Sequence, residues 1–93
     1  MRCENFEWDD RKAAAKVRKH GISFEAAKSA FDDELAFEQY DEDESDEVRW
    51  LLTGRVEGRL ITVCYTVRNL RSRIISARKA AKNEIESYNS QHR

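Results

Sequence analysis

The chain has 93 residues, 40% of them apolar and 38% charged, with no proline and three glycines. That is one domain near the small end of what folds without staples, and its patterned apolar content excludes a linker, a collagen-like repeat or a disordered chain. The net charge of −1 hides an asymmetry: residues 1–47 carry 15 acids against 7 Lys/Arg, and residues 48–93 carry 3 against 10. A basic half of that kind needs a polyanion, with RNA backbone the commonest candidate, or else neutralises the acidic half within the fold. Cys3 and Cys64 are too few for a disulfide framework. Neither has a Cys-x-x-Cys partner or a nearby histidine, so no metal site and no cofactor is expected. No apolar run approaches membrane-spanning length and no secretory pattern is present, which makes the cytoplasm the expected compartment and no membrane partner expected.

Asn5-Phe6-Glu7-Trp8 alternates briefly and reads as an edge strand. Asp9 or Asp10 can cap a helix whose stripe is Ala13, Ala14 and Val17, and Lys19-His20-Gly21 gives it a stop signal. Ser23 caps a second helix with Phe24, Ala27 and Phe31 at helical spacing. Residues 35–40 read as a strand. The run Asp41–Glu47 holds six acids in seven positions. Its calcium reading fails, because an EF-hand loop needs glycine sixth and glutamate twelfth, where Asp46 and Leu52 stand. A solvated loop is expected.

Val56-Glu57-Gly58-Arg59 suits a two-residue hairpin turn. With Val56 facing Arg59, the residues Gly54, Leu52, Trp50 and Val48 face Ile61, Val63, Tyr65 and Val67, so the large apolar side chains share one sheet face. Arg49, Thr53 and Arg55 lie opposite Thr66, Thr62 and Leu60 on the other, with Leu51 beside Cys64. A one-residue slip would destroy this match, so the register is well specified. After a turn at Asn69-Leu70, residues 73–77 form the last strand, in either of two registers. One places Arg73 on the polar face, and its neighbour places Ser76 and Arg78 there. A helix with Ala81, Ile85 and Tyr88 on one stripe follows. The expectation is a single α+β domain over residues 1–93: an antiparallel sheet of about four to five strands, two N-terminal helices on one face and a C-terminal helix, with the helices grouped on one side.

Phe6-Glu7-Trp8-Asp9…Lys12…Lys19-His20-Gly21-Ile22-Ser23-Phe24-Glu25-Ala26-Ala27 and Phe31-Asp32-Asp33 resemble the N-terminal signature of the BrnT toxin family. Leu52-Thr53-Gly54-Arg55, Gly58-Arg59-Leu60, Tyr65-Thr66 and Arg73-Ile74-Ile75-Ser76-Ala77-Arg78-Lys79-Ala80 extend the likeness to Tyr88 in the same order and spacing. Lys16, where the family commonly has asparagine, and the highly charged acidic loop are departures. The resemblance implies a toxin of a type II toxin–antitoxin pair with a RelE-like fold, which inhibits growth by cutting RNA. It also implies a small ribbon-helix-helix antitoxin, BrnA-like, that neutralises the toxin and carries the complex to operator DNA.

Cutting RNA without metal requires a base for the 2′-hydroxyl, positive charge at the phosphorane and an acid for the leaving oxygen. Arginine suits the second role because its fork pairs with two phosphate oxygens. Arg78 and Arg73, joined by Arg55, are therefore the candidates for the scissile phosphate, against a competing reading as salt bridges. His20 and Glu84 are the candidate proton-transfer groups. His20 is equally explained by its place at a helix end, and Glu84 by exposure on the last helix. Lys79, Arg71, Arg49 and Lys19 are candidate RNA-backbone contacts. Tyr65, Tyr88, Trp8 and Trp50 fit the core better than catalysis or base stacking. A module that binds nucleic acid through the same basic face without cutting it is the alternative from another class.

Overall fold

A computed structural model describes residues 5–41 and 48–91 of the chain. The order is β1 (Phe6–Glu7), α1 (Asp10–His20), α2 (Phe24–Lys28), a 3₁₀ turn (Ser29–Asp32), β2 (Phe37–Asp41), β3 (Arg49–Val56), β4 (Arg59–Arg68), β5 (Arg71–Lys79) and α3 (Lys82–Ser90). The strands form one sheet in the order β1-β5-β4-β3-β2, antiparallel except for β1 beside β5. This is the expected α+β class and element order. The loop expected at 42–47 lies outside the described residues.

The helix boundaries follow from local chemistry. Asp9 Oδ1 accepts from the amides of Arg11 and Lys12 at 2.9 and 3.3 Å, and Gly21 closes α1 at φ +74° with its N–H on the Val17 carbonyl. Only a residue tolerant of left-handed backbone ends a helix in this way without strain. Ser23 Oγ accepts the Ala26 amide at 3.0 Å to start α2. The β3–β4 register is the expected one throughout Trp50–Val56, and Glu57 and Gly58 take the two positive φ values of a type I′ turn.

On the first sheet face Leu52, Val56, Ile61, Val63, Tyr65, Ile74 and Ala77 meet Ile22, Phe24, Ala27, Ala30 and Phe31 from the helical layer. Phe31 stands edge-on to both Tyr65 and Phe6, with centroids 4.9 and 5.0 Å apart. The last strand resolves its two registers by using both. Cys64 pairs with Ser76 and Tyr65 with Ile74, so Ile75 is an extra residue that shifts the alternation by one. Arg78 pairs with Thr62 and Arg73 with Thr66, and the bulge brings both arginines to the second face.

The last helix corrects the expectation of helices grouped on one side. α3 lies across the second face, where its Glu84 meets Thr62 and its far end is tied to the chain before β2 by Gln91 Nε2 on the Leu35 carbonyl, 2.9 Å. It is also rotated from the expected stripe. Tyr88 and Glu84 are 1% and 4% exposed, while Ile85 is 37% exposed. The physical reason is the threonine pair beneath it, which offers hydroxyls that an acid satisfies and isoleucine does not. Among the described residues no helix is long and apolar enough to cross a membrane.

Gly54 lies beneath the 3₁₀ turn, where a Cβ would stand 2.7 Å from the Ala30 carbonyl oxygen. Gly54→Ala is therefore expected to push the helical layer off the sheet and lower the unfolding free energy by about 1–3 kcal/mol, read from the midpoint of urea denaturation.

Candidate nucleic-acid interface

Beside and beneath α3 the second face is built mostly from charged and polar residues aligned across the strands. Glu7, Arg73 and Thr66 form one row through β1, β5 and β4, and Arg49 beside Asp41 extends it through β3 and β2. Ser76, Cys64, Leu51 and Gln39 form the next row, and Arg78, Thr62 and Thr53 the one nearest α3. Successive strands lie about 4.8 Å apart, so each row is a ladder of near neighbours.

Arg78 is held end-on by Glu84. Its Nη1 donates to Oε1 at 2.8 Å and its Nη2 to Oε2 at 3.0 Å, while Nη1 also reaches the Lys79 carbonyl at 3.2 Å. Those bonds use three of the five guanidinium hydrogens. The Nε–H and the second Nη2 hydrogen, which share one edge of the planar group, have no partner among the described residues. The side chain is 37% exposed. Arg78 thus presents a complete two-donor fork to the outside while its other edge is fixed.

Glu84 accepts at Oε1 from the Ala81 amide at 2.6 Å, Thr62 Oγ1 at 2.9 Å and Arg78, and at Oε2 from Arg78. Burial pushes its carboxyl upward, but the Arg78 fork, the Ala81 amide and the Thr62 hydroxyl together hold it below its ordinary value of 4.5. The Glu84 hydrogen bond in turn raises the Arg78 guanidinium above its usual value despite burial. Thr62 Oγ1 lies 2.8 Å from Thr53 Oγ1, and both residues are buried.

The other candidates divide by position. Arg73 Nη1 bonds Glu7 Oε2 at 2.9 Å, and Arg71 reaches the same carboxylate at 3.9 Å, so the salt-bridge reading describes Arg73 in this state of the molecule. Arg49 flanks Asp41, whose Oδ2 lies 3.8 Å from the Cys64 thiol. Burial and then Asp41 push that thiol up to about 11, so it stays protonated and unreactive at neutral pH. Arg55 belongs to the α3 end of the face, with its guanidinium 5.6 Å from the Tyr88 ring centroid. There Tyr88 donates to Asp33 Oδ2 at 2.5 Å, and the Arg55 amide donates to the same oxygen at 2.8 Å. Burial raises Asp33, yet these donors and the Leu35 amide hold it below 3.8, and burial with the Asp33 bond raises Tyr88.

The structure does not bring His20, Lys19 or Lys79 into this group. His20 and Lys19 end α1, which packs with the layer on the first face, and Lys79 alternates away from Arg78 beside Ile61. Sequence reasoning passed over Thr53, Thr62 and Asp33. The facing pair Thr53–Thr62 was visible in the hairpin register, but only α3 gives it a purpose. No group of three or more His, Cys, Asp or Glu that could hold a metal ion occurs among the described residues.

A family model described as the ribonuclease toxin BrnT of type II toxin–antitoxin systems matches residues 8–84. The chain belongs to that family. No curated protein sequence matches it. BrnT membership implies an RNA substrate and an antitoxin partner, and the matched span runs from beside the first cap to the carboxylate that holds Arg78.

Folding favours the ionised form of Glu84, so the stability tied to it is complete above pH 4.5 and is lost as pH falls through the lower folded value. Glu84→Gln is expected to lower the unfolding free energy at pH 7 by about 1–3 kcal/mol and to flatten its decline in acid, measured by urea titration between pH 3 and 7.

Proposed function

We propose that this chain is a metal-independent endoribonuclease toxin that acts in the cytoplasm and cuts RNA on the second sheet face, leaving a 2′,3′-cyclic phosphate. The observation that carries this reading is Arg78: one edge is fixed by Glu84, and the other is a two-donor fork that has no partner among the described residues and matches two phosphate oxygens. A fixed guanidinium stabilises the charge that builds on the phosphorane without having to reorganise as the reaction proceeds. Glu84 serves as the anion that holds Arg78, since its oxygens already take four donors and its low pKa makes it a poor proton acceptor.

Arg73, Arg71 and Arg49 extend the phosphate track along the face, with Arg55 at its α3 end. Glu7 and Asp41 lie beside this track, so a bound RNA exchanges one anion for another at Arg73 instead of meeting an unpaired cation. Inhibition is ascribed to a small ribbon-helix-helix antitoxin, BrnA-like, through which alone the complex contacts operator DNA. The support for that partner is the family together with the sequence resemblance.

End-labelled RNA incubated with the purified chain in excess EDTA tests the proposal. Fragments ending in cyclic phosphate are expected from the wild type. Arg78→Lys keeps a cation beside Glu84 but lacks the second fork, and should cut about 100-fold more slowly. RNA that stays intact while still retarded on a gel would favour the non-cutting nucleic-acid-binding module.

A further inference from the structure

We propose that Thr62, backed by Thr53, is a positioning residue of the RNA-cleaving site: its hydroxyl fixes Glu84, and Glu84 fixes the edge of Arg78 that faces the substrate. This rests on the ribonuclease reading above. The direction of the hydrogen bonds follows from the ionisation of Glu84. A carboxylate can only accept, so the Thr62 proton goes to Glu84 Oε1, and the Thr62 oxygen must then accept from Thr53 across 2.8 Å. The result is a one-way chain from β3 through β4 that ends on Glu84 of α3, where the guanidinium of β5 donates from the other side.

Packing alone does not call for hydroxyls at these positions. Both threonines are 1% exposed in the middle of a sheet, where valine has the same branching and nearly the same volume. With valine at 62 the carboxylate keeps Arg78 and the Ala81 amide but loses the donor that sets its rotation about the α3 side. The two bonds to Arg78 then no longer define one orientation of the guanidinium plane. A phosphate that depends on the Nε–Nη2 edge registers that loss in turnover more than in binding, because the remaining arginines of the face still hold the RNA.

The charged groups around this chain are few. Arg78 of β5 faces Glu84 directly, and Cys64 of β4 and Asp41 of β2 act on Arg78. Thr62 donates to Glu84 and stands opposite Arg78 in the sheet, and its hydroxyl is one of the groups that lower Glu84, so its removal moves Glu84 upward. The experiment compares wild type, Thr62→Val and Thr62→Ser at a temperature below the midpoint of each, with cleavage followed from pH 3.5 to 8. Expected for Thr62→Val are a fall in kcat of about tenfold, KM within about twofold, and an acid limb shifted to higher pH. Thr62→Ser should restore both, and Thr53→Val should give a milder version. A Thr62→Val protein with wild-type kcat and an unmoved acid limb, or a loss that tracks only the folded fraction, overturns the proposal while the wild type still cuts. Wild-type protein that leaves RNA intact overturns the ribonuclease reading itself, and the positioning role falls with it.

Discussion

A carboxylate buried to the depth of Glu84 must be surrounded by donors, and finding them organises much of the molecule. One donor comes from the amide that opens α3, one from the centre of the sheet and two from the guanidinium on the neighbouring strand β5. The helix cannot leave the sheet without stranding a charge, and the arginine cannot swing without loosening the helix. The same constraint explains why α3 shows its isoleucine to solvent. An apolar stripe turned inward would have left the Thr62 hydroxyl without its acceptor on α3, which is a larger penalty than exposing one side chain.

The opposed charges of the two halves of the chain find their meaning in the row of strands. The edge strands β1 and β2 come from the acidic half and contribute Glu7 and Asp41, while the inner strands come from the basic half and contribute Arg73 and Arg49. Cations thus lie in the interior of the face and anions at its borders. Its field is patterned on the scale of a nucleotide, which suits a ligand that must be aligned as well as attracted.

The hairpin was legible because alternation over eight residues admits one register, and Trp50 to Val56 paired as their apolar pattern requires. The cap at Ser23 and the stop at Gly21 were equally plain, and the first cap was narrowed to Asp9 or Asp10, since short polar side chains and a flexible residue act locally. The last strand was not legible in full. Arg73 and Arg78 stand at incompatible positions of a regular strand, and an inserted residue leaves no mark in a period-two pattern. The rotation of α3 was hidden for a related reason. Its apolar residues named one stripe, and only the threonines of β3 and β4, with Thr62 lying 22 positions before Glu84, decide which stripe is buried. For the candidate site, the arginine run pointed to Arg78 and Arg73, whereas His20 drew attention by residue type and sits in the other layer.

The bulge at Ile75 has a consequence of its own for how β5 tolerates change. On either side of it the strand is two short segments in series, out of phase by one residue, one keyed to Thr62 and Glu84 and the other to Thr66 and Glu7. Substitutions within a segment leave the other's phase untouched. A change in length acts differently: the loss of a single residue would regularise the strand and carry one of the two arginines through the sheet into the aromatic core. The spacing between Arg73 and Arg78 is thus a coordinate of the fold in its own right, fixed more firmly than the identity of the residues that fill it.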